Sequence, residues 1–281
     1  MGARFRLRPL FVALLCLCLV PLLTGCYFTA GSGQLETRDF DIQDFNKVSV
    51  SNAFEADVTY AETYSVSVTA DANLFGYLEV VRRGGTLYIG LKPRVSLRSG
   101  TLQAAVTLPY LEGVDASGAS TVSVAGFTDA ARFDGEASGA SRLTLDALVL
   151  GNCDFDISGA SQLKLIDLNA DDADFDVSGA SRVNGRILMR NGDLEASGAS
   201  QINLRGSAGI LELKGSGASG LELGTFPLTD VDLELSGASH GTVDVSGRLD
   251  LDLSGASTLY YTGSPKLGRV EVTGGSTLVQ R

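Results

Sequence analysis

From residue 112 onward, apolar and polar residues alternate one by one, as in "ADFDVSGASRVNG" and "LDLDLSGASTLYY". A period of two sets successive side chains on opposite faces of an extended chain, so the pattern predicts strands and not helices. The alternation is punctuated by Ser-Gly-Ala-Ser beginning at Ser117, Ser138, Ser158, Ser178, Ser197, Ser216, Ser236 and Ser254, with a degenerate Thr-Gly-Gly-Ser at Thr273. The intervals are 21, 20, 20, 19, 19, 20, 18 and 19 residues, a period that suits one turn of a solenoid.

The apolar positions keep their place relative to this phrase. Three residues before it stand Val114, Gly135, Phe155, Phe175, Leu194, Leu213, Leu233, Leu251 and Val270. Five after its first residue stand Val122, Leu143, Leu163, Val183, Ile202, Leu221, Gly241, Leu259 and Leu278. A strand this short buries its apolar face only by stacking on its equivalent in the next coil, about 4.8 Å away. The fold class expected is therefore all-β, a parallel β-helix with coils of about 20 residues. Nine such coils would make a rod of roughly 43 Å.

In this arrangement Ser-Gly-Ala-Ser is the corner. The glycine takes the positive φ that bends the chain, the alanine is expected to point into the crowded interior, and the serines bond turn backbone and one another up the stack. Eight equivalent serines and a single histidine do not compose a nucleophilic triad.

The region before the repeat alternates less regularly, with turn signals at Arg83-Gly84-Gly85 and at "KPRV". Residues 37–111 are therefore read as an irregular β cap that shields the first coil from edge-to-edge pairing, and 112–281 as the repeat β-helix. Residues 27–36, "YFTAGSGQLE", read as a tether.

Residues 1–25 change the picture of location. Three arginines precede an apolar run from Leu10 to Leu23, too short for a typical span, and the run ends in Leu23-Thr24-Gly25-Cys26. This is the layout of a lipoprotein signal peptide, with Cys26 as the lipid attachment site and the membrane as a partner through the acyl anchor. Tyr27 follows the cysteine where Asp would favour inner-membrane retention, so an outer-membrane location in a bacterial envelope is expected. With Cys16 and Cys18 in the signal and Cys26 acylated, Cys153 has no partner for a disulfide and reads as a small buried residue.

Past residue 26 the chain carries 19 Lys and Arg against 33 Asp and Glu. That balance argues against nucleic acid, whose phosphates need a basic face. Much of the acid lies in two columns that the scaffold does not demand. Two residues before each corner stand Asp115, Glu136, Asp156, Asp176, Glu195, Lys214, Glu234, Asp252 and Glu271. Four before stand Asp134, Asp154, Asp174, Asp193, Glu212, Asp232 and Asp250. Both columns face outward, because the residues between them face in. Stacked carboxylates at strand spacing repel by about 0.9 kcal/mol per neighbouring pair in bulk water, before salt.

Two readings follow. Asp154, Asp156, Asp174 and Asp176 are candidate Ca²⁺ ligands bridging adjacent coils, since calcium accepts several carboxylate oxygens in flexible geometry. Alternatively the columns form a solvated face that keeps the rod soluble, and the favoured expectation is this one, with no cofactor, because the glycine-rich calcium repeat is absent. Paired acids also serve glycosidases, yet here they recur in coil after coil, whereas catalysis needs a locally unique constellation, so no catalytic residue is assigned. His240 sits just past a corner and reads as a surface residue, Arg142 and Arg182 as solvated neighbours of the acids, and one of Tyr260 and Tyr261 as part of the capping core.

The succession "FNKVSVSNAFEADVTY", "YSVSVTADANLFGYLEVV", "GTLYIGL", "VTLPYLEGVDASGAS", the SGAS repeats and "LYYTGSPKL" resembles the bacterial family described as "putative auto-transporter adhesin, head GIN domain", over residues 40–281. The resemblance implies a β-helical surface or periplasmic protein, often a lipoprotein, and carries over no catalytic or binding residue. The function expected is structural, adhesive or surface-binding and non-catalytic, with a polysaccharide as one partner class. An accessory module docking an envelope protein is the alternative, and a polysaccharide-acting enzyme comes last.

Overall fold

The computed structural model describes residues 27–128 and 130–281, so the expected signal peptide and the expected lipid attachment site, Cys26, lie outside the described residues. Among the described residues the chain is strand nearly throughout, with one short 3-10 helix at Ala72–Tyr77. No described helix is long and apolar enough to cross a membrane.

The repeat folds as the periodicity dictates. The strands Leu148–Ile157 and Gln162–Val177 pair parallel with Phe155 opposite Phe175, and every later coil continues the same register: Phe175 faces Leu194, Leu194 faces Leu213, Leu213 faces Leu233 and Leu233 faces Leu251. The strand Gln162–Val177 shows alternating buried and exposed positions at both ends, so one set of side chains forms the core while the other meets solvent. Phe155 and Phe175 stack with ring centroids 4.8 Å apart, and Phe133 adds a tilted ring at 6.1 Å from Phe155. Gly135 interrupts the aromatic column for a steric reason: a Cβ there would lie 2.6 Å from the Phe155 ring.

The corners correct one expectation. Within each phrase the second serine is buried and the alanine is exposed, as Ser181 and Ala180 illustrate. The hydroxyl turns inward because it closes the corner: Ser141 Oγ donates to Ser138 O at 2.8 Å and Ser200 Oγ to Ser197 O at 2.7 Å. The hydroxyls serve mainly backbone carbonyls, and one serine-to-serine hydroxyl bond, Ser257 Oγ to Ser276 Oγ at 3.2 Å, closes the last pair of corners. The glycines do take positive φ, 76° at both Gly159 and Gly179. Peptide groups stack through the bend as well as through the strands, since Ala180 N–H donates to Gly159 O at 2.8 Å and Ala199 N–H to Gly179 O at 2.7 Å.

The solenoid register begins well before the first SGAS. The strand Lys47–Val50 pairs parallel with Gly113–Ala116, and Glu55–Tyr60 with Thr121–Ala125. Between them, Ser51-Asn52-Ala53-Phe54 takes the corner position, with φ of 63° at Asn52 and 62° at Ala53, and Ala53 N–H reaches Gly118 O at 3.2 Å. Beyond this coil the expected irregular cap is present. Ser65–Asp71 pairs antiparallel with Leu35–Asp39 and Leu102–Leu108, and Leu78–Arg83 forms a hairpin with Thr86–Leu91 through the predicted Gly84 turn. Residues 27–36 do not run as a free tether. Tyr27–Ala30 pairs parallel with Val95–Ser99, because Val95 and Leu97 pack against the core and leave that strand's edge to be covered.

Candidate functional site

The feature beyond scaffold is the carboxylate ladder, and the strand before each corner positions it. Alternation turns Asp174 and Asp176 outward because Ala173, Phe175 and Val177 are buried. Parallel register then stacks like on like: Asp134, Asp154, Asp174, Asp193, Glu212, Asp232 and Asp250 are successive partners in one column. In the other, Asp115, Glu136, Asp156, Asp176 and Glu195 follow one another before Lys214 interrupts them. The two columns flank an open groove of about 470 Å³ that runs from Arg132 and Asp134 to Asp193 and Glu195.

Cations gather at the two ends of the groove and over the coils beyond it. Lys47 Nζ lies 2.6 Å from Asp134 Oδ2, and Arg132 bridges Asp134 at 3.0 Å to Asp154 at 2.8 Å. Lys214 pairs with Glu212 and lies 3.6 Å from Asp193. Arg248 lies 2.5 Å from Asp250, and Arg269 lies 3.5 Å from Asp232. Among the described residues Asp156, Asp174, Asp176 and Glu195 form no ion pair, so the middle of the groove carries uncompensated negative charge.

The titrations follow this layout. Burial, reinforced by Asp115, Asp156 and Asp134, raises Glu136 above the ordinary glutamate value. Burial likewise raises Asp193, with Lys214 opposing and the neighbouring acids adding. Burial works against Asp134, but hydrogen bonds from Lys47 and Arg132 prevail and lower it. Hydrogen bonds from Arg248 and from the Arg269 backbone N–H lower Asp250.

The four calcium candidates are brought side by side, Asp154 opposite Asp174 and Asp156 opposite Asp176. They are arrayed along the face, Asp154 is engaged by Arg132, and among the described residues no group of three or more acids, histidines or cysteines converges on one metal position. Arg142 and Arg182 are exposed just past their corners and share a register column with Gln162. They form no described ion pair with the acids, a role taken instead by Arg132 and Arg248, which the alternation alone does not mark, and by Arg269 at the end of the outer acidic column. His240 is half exposed, with Nε2 3.4 Å from Glu222 Oε1. Tyr261 is buried in the last coils, and Tyr260 faces outward beneath Arg281 at 3.7 Å. Cys153 is buried and its thiol is pushed up to about 12 by burial, then by Asp154 and Asp174, which leaves it protonated and inert.

The model of the family described as "Putative auto-transporter adhesin, head GIN domain" matches residues 44–191 and 154–265. No curated protein matches the chain. A "putative adhesin" from Parabacteroides distasonis superimposes with a TM-score of 0.68 at 16% identity, covering 90% of this chain and 100% of its own. A "putative adhesin" from Parabacteroides merdae gives a TM-score of 0.64 at 17% identity, covering 90% of this chain and 99% of its own. A "Putative lipid binding protein" from P. distasonis gives 0.61 at 16% identity, covering 91% of this chain and 100% of its own. At these identities the likeness is one of fold.

Proposed function

The chain belongs to the family described as "Putative auto-transporter adhesin, head GIN domain", and from that premise we propose that it is a non-catalytic, lipid-anchored envelope protein whose acidic groove adheres to a repeating polymer, a hydroxyl-rich polysaccharide. The observation that carries this reading is the register of the two carboxylate columns, which repeats one chemical environment from coil to coil. A periodic face favours a periodic ligand, because each coil adds an equivalent contact and linked contacts raise avidity without any one being strong. The same regularity argues against catalysis, which would single out one coil. Anchoring through Cys26 would hold the rod at a membrane, and the adhesin descriptions of the family and of structural relatives support a binding role at the cell surface or in the envelope.

The test is retention of labelled polysaccharides on immobilised residues 27–281, compared with a variant carrying Asp156→Asn, Asp174→Asn and Asp176→Asn. Retention by the parent and loss by the variant supports the reading. A reproducible protein partner in cross-linked cells, with no glycan retained, would replace it with a docking role. The exposed Leu267, Val270 and Val272 on the last coil favour that second reading.

A further inference from the structure

The charge of the chain is segregated. Past residue 26 acids outnumber bases 33 to 19, yet residues 72–100 hold five bases, Arg82, Arg83, Lys92, Arg94 and Arg98, against the single acid Glu79. Arg83 is paired with Glu79, and Arg82 donates to Asp44 O and Gly84 O, so these two are engaged at the hairpin tip. The other three lie together where the described chain starts. Tyr27 is the register partner of Val95, Phe28 of Ser96 and Thr29 of Leu97, and the Arg98 guanidinium sits 5.2 Å from the centre of the Phe28 ring. Val95 N–H bonds Lys92 O at 3.2 Å, which folds Lys92 and Arg94 into the turn entering the same strand. Lys92 N–H bonds Tyr77 O at 2.8 Å, which brings an exposed tyrosine beside them. All three cations are exposed and none forms an ion pair among the described residues; Lys92 Nζ donates to Gly76 O at 2.7 Å, which leaves its charge uncompensated.

Phe28 is 63% exposed, an unusual state for a phenylalanine, and it stands on the same face as Arg98. Aromatic rings beside cations are the composition of a surface that meets a bilayer: the ring enters the headgroup boundary while the bases meet anionic phosphates. Three cations are too few to follow a nucleic acid backbone, and nothing in the cluster repeats along a polymer. The cluster also adjoins Tyr27, the residue after the expected acylated cysteine, so an anchored rod would present this end to the membrane and its acidic body away from it.

We propose that Lys92, Arg94, Arg98 and Phe28 form a docking surface for the anionic headgroups of a bilayer, binding independently of the acyl chain. The proposal rests on the envelope reading for the membrane's being at hand, and not on the polymer reading of the groove. It orients the rod: the lipid supplies residence, while the basic end sets which end faces the surface. Because like charges on the body are repelled by the same lipids, the groove is turned toward whatever lies beyond the membrane.

The experiment uses residues 27–281, which contain every described strand and the whole described core but no acylation site. Co-sedimentation is measured with vesicles of one part phosphatidylglycerol to two parts phosphatidylcholine, and with phosphatidylcholine alone. Binding is expected to the anionic vesicles only and to weaken as salt is raised. Replacing Lys92, Arg94 and Arg98 together by alanine should weaken it roughly a hundred-fold, about five-fold per cation. Replacing Arg142, Arg182 and Arg205, the last exposed on the strand Gln201–Gly215, by alanine changes net charge equally and should leave binding within about two-fold. Phe28→Ser should weaken binding even at high salt. Equal binding to both vesicle types, an equal loss in the two triple variants, or full displacement by millimolar inorganic phosphate at constant ionic strength would overturn the proposal. The Asp156→Asn, Asp174→Asn, Asp176→Asn variant binds vesicles at least as well as the parent, so failure of the polymer reading and failure of this one are read separately.

Discussion

A methyl group on the α-carbon of Gly179 would lie 2.4 Å from the carbonyl oxygen of Gly159 on the preceding coil. That oxygen accepts the Ala180 N–H at 2.8 Å, so the glycine's bareness and the corner's hydrogen bond are one arrangement. Gly179→Ala would therefore strain a φ of 76° and push apart two stacked peptides. The strain costs about 1–2 kcal/mol and the weakened hydrogen bond about 1 kcal/mol more, for a total of about 2–3 kcal/mol in urea unfolding. Ala180→Ser, at the exposed neighbour, should change stability by less than about 0.5 kcal/mol. Equal effects at the two positions would contradict the stacked corner.

The buried serines are not equivalent. Ser200 Oγ donates to Ser197 O at 2.7 Å and lies 2.9 Å from Val177 O, whereas Ser219 Oγ is buried without a partner among the described residues. Removing the Ser200 hydroxyl forfeits its hydrogen bond and costs about 1 kcal/mol, since Val177 O keeps the Ser197 N–H at 2.9 Å, while removing an unsatisfied hydroxyl relieves a desolvation penalty. Ser200→Ala should destabilise by about that amount and Ser219→Ala should be neutral or stabilising. Thermal unfolding of the two variants decides it, and a larger loss at Ser219 would contradict the hydrogen-bond assignment.

This contrast marks what could be read from the sequence. The coil length, the core columns and the outward acids were legible because identical corners recur and alternation fixes which face each residue takes. The corner at Ser51-Asn52-Ala53-Phe54 was hidden, since Asn52 replaces the glycine and the cap separates Val48 from its partner Val114. Burial of serine in place of alanine was missed because the usual preference for apolar interiors yields where a hydroxyl closes its own turn. The acids were visible as a list, but their compensation was not: Lys47 reaches Asp134 from 87 residues away, a pairing made only by the stacking of the cap coil on the repeat.

The ladder's electrostatics give opposite pH responses at Glu136 and at Asp250. Glu136 is raised, so the folded state binds its proton more tightly than the unfolded state does, and stability rises as pH falls from that raised value toward the ordinary value of 4.5. Below 4.5 both states are protonated and no further gain accrues. Glu136→Gln should accordingly be more stable than the parent at pH 7, with the advantage gone near pH 3. Asp250 is lowered, so its contribution is present above the ordinary value of 3.8 and is lost as pH falls through its depressed value. Asp250→Asn should be less stable than the parent at pH 7 and converge with it in acid. Melting temperatures of both variants across pH test this, and shifts of the same sign would refute the assignment.

The central question about the groove is whether its acids chelate or only repel. Asp154, Asp156, Asp174 and Asp176 are adjacent in register, but they stand along a strand face and do not converge on one point. Repulsion between exposed charges at strand spacing is relieved by any counterion, increasingly as ionic strength rises. Chelation instead singles out a divalent ion with several oxygens at fixed distance. We therefore expect sodium chloride to raise the melting temperature of residues 27–281, and calcium at matched ionic strength to add nothing further. Asp156→Asn with Asp176→Asn should blunt the salt response, because it removes neighbouring charges from one column. A calcium-specific rise in melting temperature, abolished by that double substitution and accompanied by heat in a calorimetric titration, would show instead that adjacent coils share a bound ion.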